Sequence, residues 1–67
     1  MRNVMGRAMR IWFQMDADER YAIRFGVFPA KRVRTAEAEG YDSLTICRAL
    51  AELARQSAGD PIGSQTD

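Results

Sequence analysis

The side chains in this 67-residue chain best suited to chemistry are its arginines: nine of the ten basic residues are arginine. Arg20, Arg24, Lys31, Arg32 and Arg34 crowd one central stretch, "RYAIRFGVFPAKRVR". A guanidinium is a planar fork of donors that matches guanine edges and phosphate oxygens, so the pattern suits an anionic partner. A coding bias for arginine over lysine would give the same composition without any such role. The distribution of charge says more. Residues 1–34 hold eight basic and three acidic side chains, a surplus of five, while residues 35–67 hold two basic and six acidic, a deficit of four. Such asymmetry points to nucleic acid as the partner of the first half.

The remaining reactive types offer little. There is no histidine, and Cys47 stands alone. With Leu44 and Leu50 on its face and no base to activate it, Cys47 reads as a small buried hydrophobe. Asp16, Asp18 and Glu19 lack the glycine and distant glutamate of a calcium loop, so a turn or helix cap is expected there. No glycine-rich phosphate loop and no catalytic carboxylate pair is present, and the expectation is a non-enzyme without metal or cofactor. A lone cysteine excludes an intramolecular disulfide and fits a cytoplasmic setting. The start, "MRNVMGRAMRIWFQM", is broken by Arg7 and Arg10 and is not expected to act as a signal sequence, and no run approaches the roughly 20 apolar residues of a membrane span.

The elements that must position these residues are partly legible. Val4, Ala8, Ile11 and Met15 form a helical stripe, yet from Met9 onward Ile11, Phe13 and Met15 also alternate as a strand would. Asp16 either opens a turn or caps a helix, with Glu19 closing a capping box. In residues 20–28, Tyr21, Ile23, Phe25 and Val27 alternate with Ala22, Arg24, Gly26 and Phe28, which favours a strand over a helix begun at Asp16. Pro29 suits the first position of a helix running to a stop at Gly40. Asp42 or Ser43 then caps a longer helix with Leu44, Ile46, Cys47, Leu50, Leu53 and Ala54 on its apolar face. The segment 1–58 is one small domain, and the polar tail 59–67 is expected to be disordered.

So short a chain buries only about 60% of its unfolded surface, so association with a second copy or a larger protein is expected. Trp12 and Phe13, with Met1, Met5, Met9 and Met15 around them, suit such an interface.

The order strand, short helix, longer helix resembles the ribbon-helix-helix family of bacterial and phage DNA-binding proteins over residues 20–57. "YAIRFGVFPAKRV" is similar to that family's strand and the proline opening its first helix, and "GYDSLTICRAL" to the start of its second. The resemblance implies a homodimer whose paired strands enter the major groove. Ala22, Arg24 and Gly26 would then face the bases, and Tyr21, Ile23 and Phe25 the shared core. Ser43 and Leu44 would offer backbone amides to a phosphate, with Lys31, Arg32 and Arg34 adding phosphate contacts.

The sequence reading is therefore a mainly α fold with a short β element, strand-helix-helix after a short N-terminal strand or helix. Its function is that of a small dimeric DNA-binding regulator of transcription, plasmid or phage type. The alternative is a protein-binding module docking through Trp12, Phe13 and the helix 43–57.

Overall fold

The computed structural model describes residues 3–59, with side chains as far as residue 57. The described residues form four α-helices and one 3₁₀ turn, and no strand occurs among them. The elements are α1 (Val4–Gln14), α2 (Ala17–Ala22), the 3₁₀ turn (Ile23–Phe25), α3 (Ala30–Ala38) and α4 (Ser43–Gly59). The expected tail lies outside the described residues except for Gly59, where α4 ends.

The expected β element is thus overturned, and the helix begun at Asp16 is what forms. Asp16 Oδ1 accepts from the Glu19 amide at 2.8 Å, and Glu19 Oε1 accepts from the Asp16 amide at 2.9 Å. This reciprocal box satisfies two amides that an uncapped helix leaves without partners. Burial then follows a helical rather than an alternating period. Ile23 is buried, whereas Tyr21 and Phe25 are exposed and meet each other edge to face, four residues apart, with ring centroids 5.3 Å apart. Tyr21, Ile23 and Phe25 therefore share no core face, and Ala22, Arg24 and Gly26 form no groove-facing row. The strand that the family resemblance implies for its ribbon is not found among the described residues. Gly26, at φ 81°, closes the turn: its amide donates to the Ile23 carbonyl and that of Val27 to the Ala22 carbonyl. This double bond pattern needs a left-handed residue, which glycine supplies without strain.

The ambiguity over residues 2–15 resolves to α1, capped by the Asn3 side chain, which accepts from the Gly6 amide. Helix α4 is the pillar of the fold: α1, α3 and the 3₁₀ turn all pack on it. Ala8 and Ile11 from α1, Val33 and Ala36 from α3, and Ile46 and Leu50 from α4 meet in one apolar cluster with Ile23. Ile11, Ile46 and Leu50 are completely enclosed, so truncating any of them to alanine would cost about 2–5 kcal/mol. That is most of the stability such a small core supplies.

Two arginines finish α1. Its last carbonyls have no partners within the helix. Arg20 Nε donates to the Trp12 carbonyl at 2.9 Å, and Arg32 Nη2 to the Gln14 carbonyl at 3.2 Å. Both guanidiniums also sit at the negative end of the helix dipole, where positive charge is favoured.

Candidate nucleic-acid interface

Helices α3 and α4 are joined by four residues, Glu39–Asp42. The connection is defined by hydrogen bonds at both ends. The Gly40 amide donates to the Glu37 carbonyl at 2.9 Å and that of Tyr41 to the Ala36 carbonyl at 3.1 Å. Gly40 adopts φ 104°, a conformation that side chains rarely tolerate. On the far side, Asp42 Oδ2 accepts from both the amide and the hydroxyl of Thr45, each at 2.9 Å. The Thr45 amide, then its hydroxyl, hold the Asp42 carboxyl below its ordinary value of 3.8, because both favour the charged form. The turn is also pinned from outside. Arg7 on α1, nearly buried, grips the Glu39 carboxylate with Nε at 2.7 Å and Nη2 at 3.2 Å.

Close approach of α3 to α4 follows from the small side chain of Ala36, which is fully buried. With Ile46, Ala49, Leu50 and Ala54 facing the core, the first half of α4 turns Leu44, Thr45 and Arg48 outward. Leu44 is 57% exposed, unusual for a leucine in the first turn of a well-packed helix. Cys47 is half-buried beside them, and burial raises its thiol pKa above the ordinary 9.0. That favours the unreactive protonated thiol.

The basic residues divide into two groups. Arg32, with its bond to the Gln14 carbonyl and Glu19 at 3.8 Å, belongs to the end of α1. Lys31 and Arg34 are exposed on α3 and form no ion pair among the described residues, and the same holds for Arg48 on α4. Arg24 is exposed on the 3₁₀ turn, its guanidinium 5.4 Å from the Tyr21 ring centre, beside Ala51 and Ala54 of α4. Ala22 is half-buried at the end of α2, and Gly26 serves the turn. Ser43 is half-buried, and the Asp42 carboxylate occupies the end of α4 where the amides of Ser43 and Leu44 would meet a phosphate.

Of the expected interface residues, Trp12 is half-buried against the core beneath Arg20, whose guanidinium is 5.6 Å from its ring centre. Phe13 is 71% exposed. Ile46, Ala49, Leu50 and Ala54 of α4 are enclosed by the chain's own α1 and α3, whereas Leu44 on the same helix is exposed and Cys47 and Leu53 are half-buried. Sequence reasoning missed Arg48 as a candidate contact. Its signal was the four-residue spacing from Leu44, which puts both on one helix face.

No family model, curated protein or solved structure matches this chain. Among the described residues, no helix is long and apolar enough to cross a membrane.

Proposed function

We propose that this chain binds duplex DNA through α3, the Glu39–Asp42 turn and α4, with the first half of α4 in the major groove. The observation that carries this reading is the glycine-centred four-residue turn between a short and a long helix. Helix-turn-helix DNA-binding units have this form, with the second helix reading bases and the first crossing the backbone. The chemistry of the exposed side chains is consistent with it. Arg48 has the fork that reads guanine in the major groove, and Leu44 the apolar surface that suits a thymine methyl. Lys31 and Arg34 supply the charge that grips phosphates without choosing sequence. Arg32 has a structural role at α1, and Arg24 lies on a different element.

The test is binding of a labelled random-sequence duplex across a salt series. Affinity should fall steeply as salt rises, and Arg34→Ala should reduce the slope of log K against log salt by about one. Absence of binding at low salt would refute the proposal.

A second reading is favoured by one observation. Met5, Met9 and Phe13, spaced four apart on α1, are all exposed, an apolar stripe of the kind that docks on another protein. A partner that loses affinity for Phe13→Ala, together with indifference to DNA, would support that reading instead.

A further inference from the structure

The surface of α2 and the 3₁₀ turn carries a patch that the DNA-binding reading leaves unused. Tyr21, Phe25 and Val27 are each more than half exposed. Val27 also lines an open groove of about 320 Å³, together with Asp18, Glu19, Ala22, Phe28 and Pro29. The patch thus offers both an exposed ring and a largely apolar groove that could receive one. The charges around the patch have a symmetric arrangement. Asp18 lies three residues before Tyr21 and Arg24 three residues after it; both are exposed, and neither has an ion pair among the described residues.

We propose that this face is a self-complementary surface for a second copy of the chain. In a two-fold pairing each patch meets its own image, so residue i contacts j and j contacts i. With the axis passing near Tyr21 and the segments antiparallel, Arg24 of each copy reaches Asp18 of the other. Phe25 then enters the opposite groove. Like charges would meet only in the parallel arrangement, so the same residues that attract also select the orientation.

The strength follows from the size. A fully buried aromatic contributes about 150–250 Å² and Tyr21, Phe25 and Val27 are already partly covered, so two copies of this patch bury on the order of 700 Å². Interfaces of that size belong to reversible rather than obligate pairs, and a dissociation constant of roughly tens of micromolar is expected. Arg24, at the edge of the patch, lies beside Ala51, Ala54 and Arg55 in the later half of α4, whereas Leu44 and Arg48 stand in its first half. Dimerisation therefore needs no DNA and does not compete with it.

Sedimentation equilibrium without DNA, over a concentration range spanning that constant, tests the proposal independently of the DNA-binding reading. The expected result is a monomer–dimer equilibrium weakened about tenfold by Asp18→Arg or by Arg24→Asp and restored when both are combined. Phe25→Ser should leave a monomer with an unchanged helical circular dichroism spectrum. A chain that is monomeric throughout would overturn the proposal, whatever the DNA experiment gives. So would a dimer indifferent to all three substitutions, or a double reversal that only adds the two losses.

Discussion

Arg7 and Glu39 form a two-pronged ion pair across 32 residues of sequence, Nε to Oε1 at 2.7 Å and Nη2 to Oε2 at 3.2 Å. Glu39 is the last residue before Gly40, so the pair ties α1 to the turn that aims α4. Arg7 is 9% exposed and Glu39 48%. Water therefore screens one partner, and the pair's net contribution is closer to that of a surface pair than a buried one. The two single variants should differ. Arg7→Met retains apolar packing and should cost about 1 kcal/mol, whereas Glu39→Gln leaves a nearly buried guanidinium without its anion and should cost about 1–3 kcal/mol. Urea unfolding of the two variants checks the order.

The two turn glycines should respond differently to asparagine. At φ 81° Gly26 is near the left-handed region that asparagine visits, and open space surrounds the position of a β-carbon. Gly26→Asn should cost about 1 kcal/mol or less. At φ 104° Gly40 lies beyond that region, and Gly40→Asn should cost about 1–3 kcal/mol. Thermal unfolding midpoints of the two variants test the difference.

How much of this was legible in the sequence differs by segment. Gly40, Asp42 and the apolar spacing of α4 announced the second half of the fold, because capping and periodicity there agree. Residues 20–28 misled because two forces opposed each other. Tyr21, Ile23, Phe25 and Val27 alternate as a strand does, but three of the four are exposed, so the alternation records surface aromatics rather than a buried face. The Asp16–Glu19 box was visible as an alternative, and local capping prevailed over side-chain preference. Arg20 and Arg32 as clamps on α1 were illegible, since their partners are carbonyls supplied by tertiary contact. The candidate interface moved for the same reason: with Arg32 structural and Arg24 elsewhere, Leu44 and Arg48 became the exposed pair.

Those clamps yield a prediction that separates structure from binding. Arg20→Met and Arg32→Met each remove a bond to a carbonyl at the end of α1 and should destabilise the fold by about 1–2 kcal/mol. Arg34→Met should leave stability within about 0.5 kcal/mol of the parent and weaken DNA binding. Paired chemical denaturation and binding curves distinguish the two classes.

Acid should loosen the start of α4. Asp42 has its carboxyl pKa lowered by the Thr45 amide and hydroxyl, and Glu52 has its own lowered by Arg55 and then Gln56. A group whose folded-state value is depressed stabilises the fold above its unfolded value. That contribution fades as pH falls through the folded-state value. Stability should therefore hold from neutrality down to the ordinary carboxylate range, 3.8 for Asp42, and decline below it. Asp42→Asn, which keeps an acceptor but not the charge, should flatten part of that decline in a pH series of unfolding curves.

The central claim, that α3 and the first half of α4 meet DNA, is tested most directly by a nitrogen–proton correlation spectrum during titration with a duplex at low salt. Amide shifts concentrated at Lys31–Arg34 and Leu44–Arg48, with α2 and the 3₁₀ turn unchanged, are the expected result. A spectrum that does not move, or shifts confined to Tyr21–Val27, would contradict it.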